Sequence, residues 1–112
     1  ILFLTFLFPH PVDIYETDNG LGLDIACTGI PKEDIEILIE DNTIKIHYNK
    51  LPSDKKEVEY LHKGIAKRSF HLGWKIDNKY ELSKASAEFV NGLLQVTIPL
   101  AKGKETKKLK IK

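Results

Sequence analysis

The residues of this 112-residue chain with the chemistry for catalysis or metal binding are four histidines, one cysteine and a run of carboxylates. His10, His47, His62 and His71 show neither a His-x-x-x-His nor a Cys-x-x-Cys interval, so no dedicated metal site is expected. Cys27 follows the alternating run Leu21-Gly22-Leu23-Asp24-Ile25-Ala26, where a small buried hydrophobe fits better than a nucleophile. Glu33, Asp34, Glu36 and Glu40 could suggest paired carboxylates for acid–base work. Yet Glu36 and Glu40 alternate with Ile35, Ile37 and Ile39, which puts them on the solvated face of a strand. There is no Gly-x-Ser-x-Gly elbow, phosphate loop or Gly-x-Gly-x-x-Gly; Asn19-Gly20-Leu21-Gly22-Leu23 is a turn running into a strand. No catalytic residue, cofactor or metal is therefore expected, and the chain is not read as an enzyme.

What remains is the chemistry of apolar surface. Ile1-Leu2-Phe3-Leu4-Thr5-Phe6-Leu7-Phe8 is apolar except for Thr5, and is less than half the roughly 20 residues needed to span a bilayer. It has no basic flank and no small-residue cleavage site, so it reads as an arm rather than a signal peptide or a stable membrane insertion. At the other end, Leu109 and Ile111 stand two apart among Lys108, Lys110 and Lys112. In an extended chain such residues point the same way, giving two apolar teeth with the lysines in water. The pair is either a last edge strand of the same domain or a detachable peptide that docks in a groove of another subunit. Pro99 and Gly103 favour the peptide by freeing the tail from a strand ending at Ile98.

The charge is unevenly placed. Residues 101–112 carry six lysines against Glu105, and residues 1–100 hold eleven basic against fifteen acidic residues. A mildly acidic body with a basic tail and a single arginine, Arg68, does not resemble a nucleic-acid-binding face. One cysteine excludes an internal disulfide and points to a reducing, cytoplasmic setting.

The elements that carry these segments are strands. Period-two alternation marks Val12–Glu16 and Leu21–Cys27 about a turn at Asp18-Asn19-Gly20, then Ile35–Glu40 and Thr43–Tyr48 about Asp41-Asn42. Lys32-Glu33-Asp34 reads as a polar turn, and Ala66–Ile76 as a further strand. Ala87-Glu88-Phe89-Val90-Asn91-Gly92-Leu93-Leu94-Gln95-Val96-Thr97-Ile98 is a hairpin, because Asn-Gly accepts positive φ at little cost. Asn49 to Glu59 breaks the pattern as a long loop with an apolar patch, Val58 to Leu61, at its far end. Seven or eight short strands without a 3.6-residue period predict an all-β sandwich or barrel. The expected division is an arm at 1–11, one domain at 12–100 and an extension at 101–112.

In this order the motifs resemble those of the small heat-shock proteins, the α-crystallin domain family, over nearly everything from Val12 to Lys112. Ala87, Asn91, Gly92, Leu93, Leu94, Ile98 and Pro99 match the family's signature hairpin in place. "GIPKEDIEILIEDNTIKI" is similar to its Gly-hydrophobe-Pro, strand and hairpin segment, and "EYLHKGIAKRSF" resembles the bacterial inclusion-body-binding branch. The resemblance implies an immunoglobulin-like β-sandwich of two antiparallel sheets, a homodimer that builds higher oligomers, and a stress-response holdase that binds unfolding client proteins without ATP. It implies a client-binding arm of Ile1, Leu2, Phe3, Leu4, Phe6, Leu7 and Phe8. A strand exchanged between dimer partners would hold Val58, Tyr60 and Leu61, with Arg68 beside it. The tail motif would be Leu109 and Ile111, docking in a groove between Ile35, Ile37, Ile39 and Ala87, Phe89, Val90. Where the family commonly writes Arg-x-Phe-x-Arg, this chain has Arg68-Ser69-Phe70-His71-Leu72, so an interface ion pair from the second position is not expected. A CS-type co-chaperone adaptor or a structural β-module of a larger assembly is the alternative, but the first normally lacks both the loop and the tail.

Overall fold

Alternation dictates two faces per strand, and the chain satisfies both by stacking one sheet on another. The computed structural model describes residues 2–5, 10–49, 58–65, 67–104 and 108–112, the first of these through their backbone. Its strands are β1 (Leu2–Thr5), β2 (Val12–Thr17), β3 (Gly20–Ala26), β4 (Ile35–Glu40), β5 (Thr43–Tyr48), β6 (Phe70–Lys75), β7 (Ser86–Val90) and β8 (Leu93–Pro99). They form two four-stranded antiparallel sheets with the orders β1-β6-β5-β4 and β2-β3-β8-β7. This is the expected sandwich. The strand expected over Ala66–Ile76 is shorter, and Lys32–Asp34 forms a single 3₁₀ turn.

The core is the set of inward positions. Leu23, Ile25, Ile44, Ile46, Val96, Ile98 and Trp74 are almost wholly buried, and each lies two residues from another buried position on its own strand. Each such aliphatic side chain contributes about 1.5–3 kcal/mol of hydrophobic stabilisation. Cys27 joins this core immediately after β3, and its backbone N–H donates to the Gly92 carbonyl at 2.8 Å. Leu72 is also a core side chain, 3% exposed, between the inward-facing Phe70 and Trp74. No interface ion pair can arise from that position.

Hairpin geometry fixes the register. Asn91 and Gly92 have φ of 51° and 79°, left-handed values that let a two-residue loop follow the strand twist. Phe89 is thereby set opposite Leu94, and Ala87 opposite Val96.

Two segments join the sandwich beyond the strands that alternation marked. Leu2–Thr5, placed in a separate arm, pairs with β6 as an added edge strand, Leu2 opposite Lys75 and Thr5 opposite Leu72. The largely polar connector between β6 and β7, from Asp77 to Lys84, also supplies core residues, since Tyr80 and Leu82 are buried around a 3₁₀ turn at Leu82–Lys84. The Tyr80 hydroxyl donates to Glu16 Oε1 at 2.7 Å and ties this connector to β2.

Candidate functional site

A groove opens where an edge strand of each sheet is left without a further neighbour. It lies between β4 and β7, has a volume of about 460 Å³, and is lined by Lys32, Ile35, Ile37, Ala87, Glu88, Phe89 and Leu94. Ile35 and Ile37 are inward-facing residues of β4, but at a sheet edge they remain only half-buried. Phe89 is half-buried across from them, and the buried Leu94 beside it closes the floor. Exposed Lys32 and Glu88 bring one charge of each sign to the mouth. The volume is that of a binding cleft, about 300–1,000 Å³.

Of the six residues expected to line the groove, the structure brings together Ile35, Ile37, Ala87 and Phe89. Ile39 lies beyond its end, 47% exposed and paired with Ile44, and Val90 is half-buried at the hairpin turn opposite Leu93. Neither is among the lining residues. Alternation missed Leu94, although the turn at Asn91-Gly92 already implied its place opposite Phe89.

The two apolar teeth of the tail are free of the sandwich: Leu109 is 86% and Ile111 92% exposed. The point of release differs from the one expected at Pro99. β8 continues through Pro99, Leu100 N–H donates to the Asn19 carbonyl at 3.0 Å, and Ala101 N–H donates to the Lys79 carbonyl at 2.8 Å. The chain turns only afterwards, with Gly103 at φ 84° and Lys104 N–H bonded to the Ala101 carbonyl. A proline at the end of β8 needs no N–H of its own there, so it stays in the sheet.

Among the described residues the segment Val58, Tyr60, Leu61 pairs with no strand, and Leu61 is fully exposed. Arg68 is exposed two residues before β6. On the opposite sheet β2 is an edge strand whose Ile14 faces inward yet is 39% exposed. Next to it, the Tyr15 ring lies over Gly22, where any Cβ would collide with it, and its hydroxyl donates to Asp24 Oδ1 at 3.1 Å. Of the expected arm, Leu2, Phe3 and Leu4 fall in β1, whereas Ile1, Phe6, Leu7 and Phe8 lie outside the described residues.

The titratable groups are structural in their surroundings. Burial pushes the Cys27 thiol above its usual range, which makes it a poor nucleophile. His47 stacks on His71 across β5 and β6 with ring centroids 5.3 Å apart, and its Nε2 lies 3.7 Å from Glu36. His71 Nε2 is 3.0 Å from Asn49 Oδ1, which joins the two ends of the long loop. Among the described residues no group of three or more His, Cys, Asp or Glu side chains could hold a metal ion, and no helix is long and apolar enough to cross a membrane.

Comparison with known proteins places the geometry. A model of the Hsp20/alpha crystallin family matches residues 13–112. Small heat shock protein C2 of Rickettsia felis is 30% identical over 105 residues, which cover 89% of this chain and 66% of the relative. Small heat shock protein IbpB of Escherichia coli is 33% identical over 92 residues, covering 81% of this chain and 62% of the relative. The chain thus spans no more than about two thirds of the length of these curated relatives. A small heat-shock protein from Xylella fastidiosa superposes with a TM-score of 0.75 at 21% identity, over 94% of this chain and 97% of that one. The C-terminally truncated AgsA of Salmonella typhimurium superposes at 0.72 and 22% identity, over 94% and 99%.

Proposed function

Since the chain belongs to the Hsp20/alpha crystallin family, we propose that it is an ATP-independent holdase of the cytoplasm, a chaperone and not an enzyme, which binds unfolding proteins and keeps them from aggregating. Such a protein needs apolar surface that clients can reach but that is covered when idle, because a permanently open patch would itself aggregate. The observation that carries this reading is the pairing of an apolar groove between β4 and β7 with a tail whose Leu109 and Ile111 are almost fully exposed. In an assembly, the tail of one copy fills the groove of another. Ile1 to Phe8 supplies the client-binding surface.

The dimer forms by strand exchange. The exposed Val58–Leu61 segment adds to a sheet edge of the other copy, with Arg68 at the junction. β2 is suited to receive it, as an open edge that leaves Ile14 uncovered. Nucleic acid is not a partner in this reading, because residues 1–100 are net acidic and the excess positive charge sits on the tail rather than across a folded face.

The test is suppression of the thermal aggregation of an unrelated protein, with and without ATP. Equal protection in both arms is expected; protection only with ATP would overturn the holdase reading. In parallel, Leu109→Ala with Ile111→Ala shrinks the assembly to dimers with an unchanged circular dichroism spectrum. An unaltered mass by light scattering would remove the docking role.

A further inference from the structure

The groove is apolar within but acidic around. At its mouth stand Glu88 of β7 and, in the turn that carries Lys32 into β4, Glu33 and Asp34, three carboxylates against the single ammonium of Lys32. The segment with the exposed teeth, residues 108–112, carries three lysines and no carboxylate. Glu88, Glu33, Asp34 and Lys32 are all exposed at the mouth, while Glu36, on the opposite face of β4, lies 3.7 Å from His47.

Resting on the docking of tail in groove, we propose that the groove selects its occupant by charge: it accepts a segment with two apolar residues two apart and lysines around them, and discriminates against neutral or acidic segments of the same apolar pattern. The occupant it fits is the 108–112 segment of a second copy. With Leu109 and Ile111 turned into the apolar interior, the period of two turns Lys108, Lys110 and Lys112 to the mouth, toward Glu88 and the carboxylates of the turn before β4. All these groups lie near the surface, so the attraction acts over about a Debye length, roughly 10 Å at 0.1 M salt, and weakens as salt is added. Opposed surfaces of this kind raise the rate of encounter and exclude wrong partners more than they deepen affinity. The apolar teeth supply the adhesion, and the carboxylates determine whose teeth enter.

The experiment measures the assembly mass of the full chain by light scattering across protein concentration, at low and at high sodium chloride. The unmodified protein is expected to need about fivefold more protein to assemble in high salt. Glu88→Lys should raise the assembly concentration by a similar factor at low salt and flatten the salt dependence, and pairing Glu88→Lys with Lys110→Glu should restore assembly. An assembly concentration independent of salt in the unmodified chain, or failure of the charge swap to recover what Glu88→Lys loses, would overturn the selection. The salt titration needs no variant, so a folding defect in Glu88→Lys leaves the proposal open to refutation. Leu109→Ala with Ile111→Ala separates the two readings. If that variant shrinks the assembly while salt and Glu88→Lys do not, docking stands and charge selection fails. If it leaves the mass unchanged, docking itself fails.

Discussion

Tyr80 shows how one side chain in an apparently polar connector holds the sandwich to its loops. Burial first, and then the bond to Glu16, pushes the Tyr80 hydroxyl up to about 12, while that same bond and then Lys79, 3.7 Å away, hold Glu16 below the usual carboxylate range. A phenol whose folded pKa is raised contributes stability that is complete below its unfolded value near 10 and is lost as pH climbs toward 12. Glu16, depressed on folding, contributes above its unfolded value and loses that contribution as pH falls through the folded one. Tyr80→Phe is therefore expected to lower stability by about 1 kcal/mol at neutral pH. It should also remove the alkaline loss and reduce the acid loss, as chemical denaturation across pH would record. Gly92 acts through its backbone alone. At φ 79° an alanine there is strained, and Gly92→Ala should cost about 1–2 kcal/mol with an unchanged denaturant slope, because no buried surface is altered. An effect near zero would mean that the hairpin turn adapts.

At the scale of elements, the segment Val58, Tyr60, Leu61 allows a sharp separation of fold from assembly. Its side chains are more than half exposed in the single chain, so replacing them removes nothing from the monomer core. Tyr60→Asp with Leu61→Asp is expected to yield folded monomers whose unfolding midpoint, extrapolated to low concentration, matches that of unmodified monomer. Retention of the dimer in sedimentation would refute strand exchange through this segment. The strands themselves were legible because β2 to β5 and the Asn91-Gly92 hairpin alternate under strong turn signals, and in β5 and β8 burial follows that alternation. Tyr80 and Leu82 were not, since their neighbours Asp77, Asn78, Lys79 and Glu81 read as solvent and only tertiary packing turns the two inward. The groove was legible in its walls but not in its extent. Ile35, Ile37 and Ile39 look equivalent by period, yet the groove reaches only the first two of them, and the half-buried Val90 takes no part in its lining. Pro99 misled for a similar reason, because a proline reads as a strand breaker whereas at the end of β8 it is tolerated within the ladder.

On the scale of the whole molecule, the proposed function divides the work of adhesion and solubility among the arm, the sandwich and the tail. Removing Ile1 to Phe8 tests the division, and β1 makes that test more demanding than the sequence alone suggested. Deletion takes away the four-residue ladder on β6, but β6 keeps its six pairs with β5, from Thr43 opposite Lys75 to Tyr48 opposite Phe70. The buried core side chains of the described residues lie between Leu21 and Ile98, and the deletion removes none of these. A short edge strand contributes little to a three-stranded sheet already packed on another. The shortened chain should therefore melt within about 4–8 °C of the intact one, the shift that roughly 1 kcal/mol produces in a domain of this size. Protection of an aggregating client, measured at equal chain concentration, should fall several-fold, because the densest apolar run in the chain has gone. The deletion also bares the outer edge of β6, where the unpaired N–H and C=O groups become a template for another strand. A truncated protein that protects as well as the intact one would contradict the client role of the arm. One that melts far lower with protection lost in proportion would make residues 1–8 chiefly a structural strand of the sheet.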